Sequence, residues 1–278
     1  MKSSLFLLVL PALASVSCSS GPVALSPGTP AFYWAAARQA FHSGDVVKAN
    51  ENLAELVRTE NEFSAKARPW KAVLSAGLAQ GYMELADTYE AGARANRANP
   101  TPFRKQVTAL RSLASASALE TAEIVHAVVT NDKIGGFPLA FDFPTGSAIA
   151  PAGLSKISSG LLIQDSEKDA LQSAMLQRGV LRVACRVTGS ADDPAKALEV
   201  FKGTDPRAPR EVFLLAVARL MYEESDLFTS AKLDQPNRLR LLCQEAQLAL
   251  DSVPPTKESK DLAAKIQAAL KKVKGPSL

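Results

Sequence analysis

Nucleophilic, acid–base and metal chemistry need residues that this chain holds sparingly. It has two His, His42 and His126, and three Cys, Cys18, Cys185 and Cys243. Zinc sites draw on Cys and His at short spacing, and these residues are scattered, so no metal site is expected. His126 follows Glu123 by one turn of an expected helix, where an imidazole could pass a proton to a carboxylate. The same pairing is the ordinary one for a His on a helix surface. His42 closes another expected helix, where a cation suits the dipole. Asp192-Asp193 precede Pro194 and read as a helix N-cap, with too few oxygens nearby for calcium. Glu223-Glu224 read as a solvated helix face. The chain has no Gly-x4-Gly-Lys-Ser/Thr loop, no Gly-x-Gly-x-x-Gly after a strand, no Gly-x-Ser-x-Gly elbow and no Ser-x-x-Lys pair, so the commonest nucleotide and serine-hydrolase signatures are missing. No catalytic residue and no cofactor are assigned.

The strongest candidate for recognition is the segment Gly135–Pro151, rich in Gly and Pro and carrying Phe137, Phe141 and Phe143. Loops this long inside helical domains usually have a role of their own. The three rings either plug a gap between two helical halves or stand exposed to bind a partner or an apolar ligand. Gly77 and Gly81 lie four apart on one expected helix. Each costs about 1 kcal/mol against Ala in a helix interior, which predicts the close approach of a neighbouring helix, with a groove floor for a partner peptide as the alternative.

The elements that must carry these residues are helices. The chain of 278 residues holds 46 Ala but only two Trp and four Tyr, a balance that favours helix over sheet. Trp34, Ala37 and Phe41, then Val46, Ala49, Leu53 and Leu56, repeat at helical spacing on either side of Gly44-Asp45. Longer stripes predict helices over 70–96, with Pro69 in the first turn, and over 103–131. Residues 133–153 break the pattern. Helices resume over 154–164, 168–187, 194–202, 210–229, 237–252 and 259–274, and no substantial sheet is expected. The fold class is therefore all-α, with one helical domain over 31–278.

Residues 1–17 read as a signal peptide: Lys2 is followed by a short apolar run, Leu5 to Leu10, far short of the roughly 20 residues that span a bilayer. Ala12-Leu13-Ala14 fits ordinary signal peptidase. Ser15-Val16-Ser17-Cys18 resembles the lipobox of bacterial lipoproteins, with Ser15 where that family usually carries Leu. The resemblance implies lipidation of Cys18, and Ser19 after it implies the outer membrane, with the domain facing the periplasm. Residues 18–30, rich in Ser, Gly and Pro, then form a flexible tether. In that compartment Cys185 and Cys243 either pair as a disulfide or stay as two buried thiols.

Trp34, Ala37, Phe41, Gly44-Asp45, Ala49, Leu53 and Leu56 resemble one tetratricopeptide unit, although Arg38 stands where a small residue normally lets the helices approach. Leu181, Ala184, Gly189, Ala197 and Phe201 give a weaker echo, and Leu242 to Leu250 a third. The resemblance implies antiparallel helical hairpins, stacked as a tetratricopeptide-like right-handed solenoid or packed as an irregular helical bundle.

Residues 256–278 hold six Lys against Glu258 and Asp261, which accounts for the formal charge of +4 of the whole chain. No basic stripe with interleaved aromatics points to nucleic acid. The last helix reads as a cap with a solvated Lys face, or as a contact for anionic lipid or cell-wall polymer. The expected function is a non-catalytic binding or scaffold module that meets a protein partner in an envelope assembly or transport system. The alternative is an envelope enzyme or small-ligand carrier with a site near the central loop.

Overall fold

The computed structural model describes residues 25–132 and 134–273. The signal peptide, Cys18 and most of the tether lie outside the described residues. Helix α1 (Pro30–His42) is capped by Thr29, whose side chain accepts from the Phe32 amide, and Pro30 occupies its first position, where a missing N–H costs nothing. Asp45 caps α2 (Val46–Val57) in the same way through the Lys48 amide, at 2.9 Å. The two helices form a hairpin that buries Ala37, Phe41, Ala49 and Leu53 and leaves Trp34 partly buried. Arg38 is exposed.

Two much longer helices follow, α3 (Ser64–Ala95, 32 residues) and α4 (Thr101–Asn131, 31 residues). At 1.5 Å per residue each is about 48 Å long, so the hairpin they form is unlike the short one before it. Helix α3 begins six residues earlier than its sequence pattern predicts, and Pro69 lies inside it rather than in its first turn. The extra turn is held from outside: Arg68 is clamped by acidic side chains, and Ala67 is fully buried. Ala65, whose carbonyl Pro69 cannot serve, is on the exposed side.

Helix α5 (Gly153–Ser158) is shorter than the expected 154–164. Gly160 ends it at φ +87°, with the Gly160 amide donating to Ile157 O and the Leu161 amide to Lys156 O. That is a Schellman closure, which needs the left-handed residue that glycine supplies. Then come α6 (Asp165–Val187), α7 (Pro194–Phe201), α8 (Arg210–Ser225) with a 3-10 turn over Asp226–Phe228, α9 (Pro236–Asp251) and α10 (Lys257–Lys272). The only sheet among the described residues is a ribbon of β1 (Gly136–Pro138) against antiparallel β2 (Arg207–Pro209), in register Phe137 to Ala208.

Helix α3 is the axis of the fold. It packs against α2, α4, α6 and α8, while α9 lies along α4 and α10 along α9. The α3–α6 crossing shows what Gly77 and Gly81 do. A Cβ on Gly77 would meet Val180 Cα at 2.6 Å, one on Gly81 would meet Met175 O at 2.8 Å, and one on Gly179 would meet Gly77 O at 2.1 Å. Backbones this close have no room for any side chain, so the glycines serve helix approach and not a groove floor. Glu84 of α3 clasps Arg178 and Arg182 of α6 beside the crossing. Leu262 and Ile266 bury the inner face of α10, and its Lys residues are exposed. Cys185 and Cys243 are free, buried thiols. They belong to separate apolar clusters, so the disulfide alternative does not hold.

Candidate functional site

The central loop is pinned by its rings. Phe137 has no exposed surface; it packs on Phe213 of α8 at 4.6 Å between ring centroids, and the Arg210 guanidinium lies over it at 5.6 Å. Phe141 enters a nest of Trp34, Phe41 and Trp70, stacking on Trp70 at 4.8 Å with 17° between planes. Phe143 is partly buried on Leu181, Cys185 and Ala197, edge-on to Phe201 at 5.1 Å. Further along, Arg178 Nε donates to Ala148 O, and Asp142 approaches His42 at 3.4 Å on the exposed side. Phe137 and Phe141 thus turn inward and offer a partner no open face. Phe143 keeps a partial one.

The groups with perturbed chemistry gather elsewhere. A cleft of about 490 Å³ opens between α2, α3 and α4, with Lys71 and Glu120 on its floor and Arg58, Glu60 and Glu123 at its rim. Lys71 Nζ donates to Glu120 Oε2 at 2.5 Å and to Asn50 Oδ1 at 3.1 Å. Asn50 Nδ2 donates to the same Glu120 oxygen at 3.0 Å, and Ser75 Oγ lies 3.2 Å from it. Burial pulls the Lys71 ammonium below the ordinary lysine range, and facing Glu120 only partly offsets that. Burial would raise Glu120, but Lys71, Asn50 and Ser75 outweigh it and hold the carboxyl below its usual range. A lysine with a depressed pKa is a known route to a nucleophile or base. Here two of the three ammonium hydrogens are held by Glu120 and Asn50.

Next to this cluster Arg68 forms a bidentate pair with Asp132, Nε to Oδ2 at 2.8 Å and Nη2 to Oδ1 at 2.5 Å, and reaches Glu60 with Nη1 at 2.8 Å. The carboxylates, Asp132 first, raise Arg68 above the ordinary guanidinium range. From the start of α8, Arg210 donates to the carbonyls of Asp132 and Val129, filling acceptors that the end of α4 leaves open.

Glu224 corrects the sequence reading. Glu223 is on the surface side and pairs with Arg186 at 2.8 Å, but Glu224 has no exposed surface and neither of its oxygens has a hydrogen-bond partner among the described residues. The Gln80 amide of α3 is the nearby polar group, and its Nε2 is likewise unpartnered. Burial, with the Glu223 charge behind it, pushes the Glu224 carboxyl well above its usual value of 4.5. The native state therefore keeps a proton that the unfolded chain releases. Stability from this proton is full below pH 4.5 and falls as pH rises towards the folded pKa. Glu224→Gln should stabilise the protein more at pH 8 than at pH 4, because the amide stays neutral without taking up a proton. Urea unfolding at the two pH values measures this; an equal effect at both would contradict it.

The remaining sequence candidates have structural partners. His126 Nδ1 lies 3.0 Å from Glu245 Oε2 on α9, not on its own helix neighbour Glu123. Asp193 accepts from the amides of Ala195 and Lys196 as the N-cap of α7, and Asp192 pairs with Arg186. No group of three or more His, Cys, Asp or Glu that could hold a metal ion occurs among the described residues. No described helix is long and apolar enough to cross a membrane.

Comparison with known protein families, with curated proteins and with solved structures finds no match. The chemistry of the clefts therefore carries the functional argument.

Proposed function

We propose that the protein is a membrane-tethered lipoprotein of a bacterial envelope, anchored through Cys18 in the outer membrane, whose periplasmic helical domain receives a protein partner and carries out no reaction of its own. The observation that supports this most is the mutual pairing of the buried charged groups in the α2–α4 cleft. Its shifted groups are bonded to one another, Lys71 to Glu120 and Asn50, Arg68 to Asp132. What is left at the surface to meet a partner is the charged rim of Arg58, Glu60 and Glu123, all exposed, although Arg58 also pairs with Glu55 and Glu60 with Arg68. Rim charges of this kind steer and register a partner more than they bind it tightly. The lipobox resemblance and the Ser, Gly and Pro-rich segment after it support the tether.

Cys18→Ala should move the protein from the membrane fraction to the soluble periplasmic fraction of cells. A wild type that is already soluble and begins at Ser15 would support plain secretion instead. For the partner, a photo-crosslinking residue at Glu123 should give one discrete adduct in intact cells, and the same residue at exposed Lys260 on α10 should not. A second reading, a small-ligand carrier or enzyme, draws on the depressed Lys71. It would gain if an amine-directed reagent at pH 8 modified Lys71 ahead of the surface lysines.

A further inference from the structure

The α3–α4 turn carries a second cleft, of about 760 Å³, whose charge is one-sided. Arg94 comes from the last turn of α3, Arg97 from the turn that follows it, and Arg104 and Arg111 from the first three turns of α4; the only acid among its lining residues is Glu90. Glu90 is already committed: Arg111 Nη2 reaches it at 2.7 Å and Arg94 at 3.1 Å. Burial would raise its carboxyl, but these two guanidiniums outweigh that and hold it below the usual carboxylate range. Arg97 and Arg104 are exposed and have no ion-pair partner among the described residues. Arg111 is about nine-tenths buried, and its Nε has no acceptor. Pro100, at the mouth, precedes the α4 N-terminus and supplies no side-chain cap, so the first amides of a 31-residue helix add their partial positive charge.

We infer that this cleft is a binding site for a phosphate group, carried by a small solute or by an anionic lipid headgroup. Four guanidiniums against one carboxylate leave an excess of three positive charges, more than a single carboxylate would neutralise and suited to a phosphate dianion. The planar fork of arginine matches tetrahedral oxyanions through paired N–H donors. The buried Arg111, fixed by Glu90 with Nε unsatisfied, forms the inner wall, and Arg97 from the turn and Arg104 from α4 flank it. The site lies at the opposite end of the long hairpin from α1, whose Phe41 packs on Trp70 near the start of α3. The proposal does not depend on what the α2–α4 cleft receives.

The test uses the full chain carrying Cys18→Ala, so that no lipid of its own interferes. Calorimetric titration with inorganic phosphate and with pyrophosphate, at ionic strength matched with chloride, should show saturable binding. Flotation with vesicles of phosphatidylglycerol in phosphatidylcholine reports the headgroup arm, with pure phosphatidylcholine as control. Binding on one or both arms supports the proposal and tells the source, provided that Arg97→Gln/Arg104→Gln weakens it at least tenfold and Arg58→Gln, on the other cleft, leaves it unchanged. These arginines are exposed, so the double variant should fold normally, which circular dichroism checks. Phosphate no better than chloride together with no flotation, or equal binding by the double variant, would overturn it.

Discussion

Asp132→Ala should cost about 3–5 kcal/mol of folding stability, the usual penalty for stranding one member of a buried ion pair. The Arg68 and Asp132 side chains are only 7% and 4% exposed, so water cannot replace the lost carboxylate. Glu60 remains as a partner for Arg68, but it is 70% exposed and its short contact, 2.8 Å, is to Nη1, with Nη2 only at 3.5 Å. The pair joins α3 to the end of α4, residues 64 apart in sequence, at the point where the central loop departs. A discriminating experiment adds the double variant Arg68→Met/Asp132→Leu. Replacing both members by apolar residues removes the desolvation cost along with the attraction, so it should unfold at higher urea than Asp132→Ala. A single variant within about 0.5 kcal/mol of wild type, the range of an ordinary surface substitution, would mean that the pair contributes nothing.

This clamp was not visible in the sequence, and the reason is general to the molecule. Periodicity reports which face of a helix is buried, so the helices, the α1–α2 hairpin and the close approach at Gly77 and Gly81 were legible. It does not report which charged residues on different helices meet. Lys71 with Glu120, and Arg68 with Asp132, have no spacing signal because tertiary packing alone brings them together. Glu224 had a signal that its neighbour obscured: Val217, Met221 and Glu224 continue one buried stripe at i, i+4 and i+7. The acidic doublet suggested a solvated face, but only Glu223 is on it. The arginine cleft was also within reach. Arg94, Arg97, Arg104 and Arg111 crowd around the short turn between α3 and α4, which folds one helix back on the other. A proline suits a first helical turn, but the turn before Pro69 is held by Asp132, far away in sequence, and by Glu60.

The loop offers the second large effect. Phe141 is 4% exposed and touches three other rings, so Phe141→Ala removes a large apolar volume from the centre of an aromatic nest and should cost about 3–5 kcal/mol. The chain's two tryptophans, Trp34 and Trp70, both border this ring. Their fluorescence therefore reports directly on whether the loop has left its seat, with emission shifting to the red as water reaches the indoles. Residues 139–148 should become susceptible to limited proteolysis under conditions where wild type resists, since the backbone there has few regular hydrogen bonds to hold it. Phe143→Ala should cost less, because that ring is only partly buried and meets a small separate cluster. The ordering of the two variants separates the roles of the loop. A ring that serves recognition would lose partner capture with little change in stability, and only Phe143 has the partial exposure for that. If Phe141→Ala leaves both the urea midpoint and the tryptophan emission unchanged, the ring is not what seats the loop, and the packing account of residues 134–153 fails.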